Sequence, residues 1–128
     1  MRYVLLLISL LVTMTSHADD TSSIDSIVNA YYEVVSGPEG FIYDADRDTN
    51  IHADGALITK VFPNGRFQRH DLSTEQTMIP VPYDQAFFEY EVDRRIERYG
   101  NIAHVWSEFE MRTLSLIHIS EPTRLDGI

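Results

Sequence analysis

Apolar and polar positions sort most sharply between Phe87 and Arg112, where FFEYEVDRRIERYGNIAHVWSEFEMR sets two aromatic and β-branched runs on either side of Gly100-Asn101. A glycine in the first central position suits a two-residue type II′ turn, and the stretch is predicted to be one long β-hairpin. Counting outward from the turn pairs Tyr99 with Ile102, Arg98 with Ala103, Ile96 with Val105, Arg94 with Ser107, Val92 with Phe109, Tyr90 with Met111 and Phe88 with Thr113. That face is mostly apolar. The other face pairs Glu97 with His104, Arg95 with Trp106, Asp93 with Glu108 and Glu91 with Glu110, so the charges gather there. A sheet sorted in this way packs on one side only.

Upstream the period changes. Ile24, Ile27, Val28, Tyr31 and Val35 recur at three and four residues, which predicts a helix over 21–36, with Ser22 and Asp25 as its capping pair and Gly37-Pro38 as its stop. Tyr31 falls on the apolar stripe and is assigned to the core, whereas Tyr32 stays open between core and ligand site. Residues 39–55 are acidic and broken. Asp44, Asp46, Asp48 and Asn50 alternate as in a calcium loop, but Thr49 stands where the sharp turn needs Gly and Gly55 where a bidentate Glu closes the coordination shell. A turn or short helix is the better reading, and no metal is expected.

Residues 56–62 and 66–71 read as two strands joined at Asn64-Gly65. Simple counting sets Lys60 against Arg69, a like-charge pair, which points to a longer loop or a bulge. Ser73 and Gln76 then open a short helix that Pro80 and Pro82 must stop.

The two ends differ from the rest. Met1-Arg2, the apolar run Tyr3 to Val12 and Ser16-His17-Ala18 form a secretory signal pattern, with cleavage expected after Ala18 and a periplasmic or secreted domain over 19–113. The apolar run is about half the ~20 residues that span a bilayer, so no membrane attachment is expected after cleavage. At the other end LSLIHISEPTR, Leu114 to Arg124, coincides residue for residue with the translation of a sequencing-library transposase adapter. Residues 114–128 are therefore expected to be a non-native tail, and His118 carries no functional weight.

Composition narrows the partners. A formal charge of −10, spread along the chain, repels nucleic acid and anionic membranes. With no cysteine, neither disulfides nor thiol chemistry are available.

The element order, together with AYYEVVSGPEG at Ala30 to Gly40, IHADGALI at Ile51 to Ile58 and FFEYEVDRRIERYGNIAHVWSEFE at Phe87 to Glu110, resembles the NTF2-like superfamily and within it the exported SnoaL-like proteins of bacteria. The resemblance implies an α+β cone, a strongly bent and mainly antiparallel sheet packed on an N-terminal helix, with a pocket between them. It also implies two further strands beyond the hairpin, where the adapter-like tail stands. Tyr90 and Asp93 depart from the basic residues expected at those positions in relatives.

The superfamily mixes isomerases, dehydratases and cyclases with non-catalytic binding proteins, so the fold leaves enzyme or binder undecided. Two partners remain open: a small apolar or anionic ligand in the cone, and a second copy of the chain docked on the charged face around Trp106, Arg95, His104 and Glu97. No cofactor is expected, and no nucleophile motif, HExxH or phosphate loop is present. Glu91, Asp93, Glu108 and Glu110 read as a solvated face rather than an acid/base pair. Arg94 and Ser107 stand out because they oppose each other on the apolar face. Either an acidic side chain pairs Arg94, or Arg94 and Ser107, with Tyr90 alongside, hold an anionic or carbonyl ligand. His52 joins these candidate ligand-binding residues because it lies, with Asp54, before a strand at the expected pocket mouth.

Overall fold

The computed structural model describes residues 19–115 and 118–119, so the expected signal segment and most of the expected non-native tail lie outside the described residues. The chain runs through α1 (Ile24–Val35), α2 (Ala45–Asn50), β1 (Leu57–Val61), β2 (Phe67–Asp71), α3 (Leu72–Thr77), β3 (Ala86–Tyr99), β4 (Ile102–Ser115) and β5 (His118–Ile119). This is an α+β architecture. β1 and β2 make one antiparallel sheet, β3, β4 and β5 a second, and α1 packs against β3. The short β5 pairs Leu114 with Ile119 and Ser115 with His118, so the backbone at the start of the tail continues the second sheet.

Helix α1 starts one residue later than its predicted cap. Ser23, in extended conformation, accepts a hydrogen bond from the Ser26 amide at 3.0 Å, and Asp25 lies in the first turn, where a carboxylate suits the helix dipole. Two adjacent serines are equally able to cap; backbone conformation selects the second. At the far end Ser36 leaves the helix, and Gly37 exchanges both backbone hydrogen bonds with Phe87, at 2.8 and 2.9 Å. That bridge turns the chain from helix onto the start of β3. The Phe41 ring lies so close that a Cβ on Gly37 would stand 2.1 Å from its Cγ. Gly37→Ala is accordingly expected to cost about 1–3 kcal/mol, because Phe41 must leave its place against Tyr83, 5.2 Å away between ring centroids. Urea denaturation of the variant measures this; an unchanged midpoint would contradict the close approach.

The core is thin. Val34, Tyr43 and Tyr83 form its buried centre, with Phe41, Ile79 and Phe87 packed around them. The Tyr83 hydroxyl donates to the Val35 carbonyl at 2.7 Å, satisfying one of the carbonyls that a helix end leaves open. Arg47 ties α2 to α1 by an ion pair to Glu33 at 2.7 Å, and to the segment before α1 by one to Asp20 at 2.8 Å.

The first hairpin takes the longer-loop alternative. Lys60 pairs with Gln68 and Thr59 with Arg69, so the like-charge opposition disappears. The Gly65 amide bonds the Phe62 carbonyl at 2.9 Å and Gly65 sits at φ 80, which makes Pro63-Asn64 the centre of the turn and Gly65 its left-handed exit.

The second hairpin keeps the predicted turn, with Gly100 at φ 56 and no positive φ at Asn101. It also keeps the predicted register from Tyr99↔Ile102 to Asp93↔Glu108. Beyond that point the expectation fails. A bulge at Val92 shifts the pairing to Glu91↔Phe109, Tyr90↔Glu110, Glu89↔Met111, Phe88↔Arg112 and Phe87↔Thr113. One unpaired residue exchanges the faces of everything before it. Glu89 and Glu91 now point inward, and Phe88 and Tyr90 outward. The pairs Val92–Phe109, Tyr90–Met111, Phe88–Thr113 and Glu91–Glu110 are therefore corrected, since the bulge separates two glutamates that a continuous ladder would have set directly opposite each other.

Candidate functional site

A cavity of about 380 Å³ opens between α1, α2, β1, α3, the segment 78–85 and the inner side of β3. Helical spacing puts Tyr31 and Val35, one turn apart on α1, on its wall. Ile58 and Lys60 reach it from β1, Leu72 and Glu75 from α3, and Phe87 and Glu89 from β3. Met78, Ile79, Pro80 and Tyr83 close one side. The volume lies in the ~300–1,000 Å³ span of ligand cavities.

Glu89 is the least compensated charge in it. Its Oε2 is buried without a hydrogen-bond partner, and burial pushes its carboxyl up to about 7, with the nearby Lys60 ammonium opposing only part of the rise. The same burial, helped by the Glu89 charge, raises Tyr31 above the ordinary phenol value and keeps it a neutral hydroxyl. Lys60 is itself committed, since its Nζ is ion-paired with Glu75. Asp48 has a side chain only 6 % exposed and accepts from the Tyr43 hydroxyl through Oδ2, while its Oδ1 has no hydrogen-bond partner. His52 Nδ1 lies 2.7 Å from the Asp48 carbonyl oxygen, which can only accept, so Nδ1 carries a proton, and the same nitrogen stands 3.4 Å from Asp48 Oδ1.

Of the four residues singled out from the sequence, His52 lines this cavity, with its ring 6.4 Å from Tyr31. Arg94 and Ser107 do face each other across the hairpin, but outside the cavity lining. Arg94 Nε and Nη2 grip the Glu91 carboxylate at 3.0 and 2.7 Å, Nη1 bonds Asp25 Oδ1 at 2.7 Å and its carbonyl at 3.4 Å, and Nη2 also bonds Asn29 Oδ1 at 2.6 Å. Four hydrogen bonds and the second ion-pair contact with Glu91 engage all three guanidinium nitrogens. Ser107 donates its proton to Glu91, so the 2.5 Å contact with Tyr32 has the tyrosine as donor. The cluster locks the start of α1 onto the hairpin, and the ion-pair alternative for Arg94 is the one realised.

Tyr90 is not alongside this cluster, because the Val92 bulge turns it to the outer face, where it stacks on Phe88 at 5.8 Å under the Arg112 guanidinium at 4.8 Å. Tyr31 is corrected as well. Its place on the helix stripe predicts core, but a cavity opens beside that stripe and its ring forms part of the wall. On the outer face Trp106 is 53 % exposed, between the His104 ring at 4.6 Å and Arg95 at 5.8 Å.

Sequence reasoning missed Glu89, Lys60 and Glu75. A signal for Glu89 was present: the same objection to like charges that displaced Lys60 from Arg69 applies to Glu91 against Glu110, and a bulge there turns Glu89 inward. Neither family models, curated proteins nor solved structures match the chain.

Proposed function

We propose that the chain is an exported NTF2-like domain that binds a small molecule in the cavity between α1, α3 and the inner side of the long hairpin. The observation that carries this reading is the cavity itself: apolar walls from Val35, Ile58, Leu72, Met78, Ile79 and Phe87 surround one buried, unpaired carboxyl, Glu89. Apolar walls with a few converging polar groups are the common make-up of ligand sites. The order of helix, short helix, strand pair, short helix and long hairpin supports the superfamily assignment, as does a cavity between the first helix and that hairpin.

The uncharged dye N-phenyl-1-naphthylamine tests the reading without presuming a ligand. Its fluorescence is expected to rise saturably with the wild-type chain and to lose that rise in Ile58→Trp, whose indole fills the cavity from β1. A dye signal identical in the two proteins would place the binding elsewhere and overturn the proposal.

A further inference from the structure

Hydrogen-bond accounting in the cavity goes one step further and rests on the ligand-binding reading above. Asp48 Oδ1, Glu75 Oε2 and Glu89 Oε2 are buried with no hydrogen-bond partner, the nearest donor to Asp48 Oδ1 being His52 Nδ1 at 3.4 Å, and all three residues line this one cavity. A buried acceptor left without a donor is costly, and a charged one more so. Walls rarely hold three such atoms together unless something completes them. The lining has four carboxylates, with Asp84 added, against one lysine whose ammonium is already paired with Glu75. The other basic group among the described lining residues, His52, directs Nδ1 at the Asp48 carbonyl, 2.7 Å away, with Asp48 Oδ1 at 3.4 Å.

We infer that the cavity takes a cationic amphiphile, a protonated amine on a compact apolar or aromatic body, with the ammonium among Asp48, Glu75 and Glu89 and the body against Val35, Ile58 and Phe87. An ammonium brings three donors and no acceptor, which is what these atoms lack. The rings of Tyr31, Tyr83 and Phe87 around the cavity add π surfaces of the kind that hold organic cations. The chain's charge of −10 draws cations towards the site from a distance. An anionic ligand would meet the unpaired Glu89 carboxyl and the open oxygens of Asp48 and Glu75, while the lysine among the described lining residues is already held by Glu75.

Isothermal titration of the full chain at pH 8 with 2-phenylethylamine, 2-phenylethanol and 3-phenylpropanoate separates the two claims. The amine is expected to bind roughly 10- to 100-fold tighter than the alcohol, the span of one to two charge-assisted hydrogen bonds, and the carboxylate more weakly than either. In Glu89→Gln the amine-to-alcohol ratio should collapse towards one. If the alcohol binds as well as the amine, or the ratio survives in Glu89→Gln, the cationic ligand is overturned while the cavity remains a binding site. If none of the three binds, both readings fall.

Discussion

Glu89→Gln is expected to stabilise the folded chain by about 3 kcal/mol at pH 8 and to change nothing at pH 4.5. The Glu89 carboxyl rises from an ordinary 4.5 to about 7 on folding, chiefly because burial penalises its charge. Between those two values the folded chain holds a proton that the unfolded chain has released, so folding stability falls as pH rises through that window. Above pH 7 the whole penalty is present. At about 1.4 kcal/mol per pH unit it comes to ~3 kcal/mol, and below 4.5 it vanishes because both states are protonated. A neutral glutamine of nearly the same shape removes it. The groups around Glu89 are Tyr31 on α1, Asp48 and His52 on and beside α2, Lys60 on β1, Glu75 on α3 and Asp84 in the following segment. Urea denaturation followed by circular dichroism from pH 4.5 to 8 gives the stability difference directly. A gap between variant and wild type that stays constant with pH would show that Glu89 is not the buried carboxyl described.

Local chemistry carried most of the fold. The helix stripe, the Gly100 turn and the first seven pairs of the long hairpin follow from spacing and turn stereochemistry, which act over a few residues. The bulge at Val92 does not, because a bulge is a choice between two ladders that both satisfy the alternation nearby. What decides it is remote: Arg94 has Asp25 and Asn29 above it on α1, and the guanidinium is closed off only if Glu91 comes to the same side. Apolar periodicity is blind to that requirement. Charge opposition is the usable signal, because it argues against Glu91 facing Glu110 as it argues against Lys60 facing Arg69.

The candidate site was legible in proportion to how local its parts are. His52 lies two residues after α2 and was placed near a pocket mouth from that position alone. Glu89, Lys60 and Glu75 come from three separate elements, β3, β1 and α3, and only the packing of those elements brings them to one cavity. Tyr31 shows the reverse error. A stripe on a helix identifies the side that turns away from solvent, yet that side can face a cavity as readily as a packed wall, and for Tyr31 it does both. Arg94 was noticed because a cation on an apolar face demands a partner. Its partner, Glu91, falls on the opposite face in an unbroken ladder and reaches Arg94 only through the bulge.

Arg94→Leu is expected to lower folding stability by about 3 kcal/mol without weakening ligand binding in the part of the population that stays folded. Its side chain is 15 % exposed and its bidentate partner Glu91 19 %, so removing the guanidinium leaves a largely buried carboxylate with Ser107 as its remaining donor. Breaking a buried pair from one side costs about 3–5 kcal/mol. The lower end applies here because Asp25, the second partner, is 66 % exposed and regains water when Arg94 is lost. Arg94→Leu paired with Glu91→Leu separates the pair from its parts. The double variant should recover much of the loss, since no uncompensated charge is left under α1. A ligand-facing arginine behaves otherwise, because its removal relieves repulsion and desolvation and leaves stability equal or higher. Urea midpoints for the two single variants and the double distinguish these cases, and an Arg94→Leu protein as stable as wild type would show that the clasp between α1 and the hairpin is not what Arg94 is for.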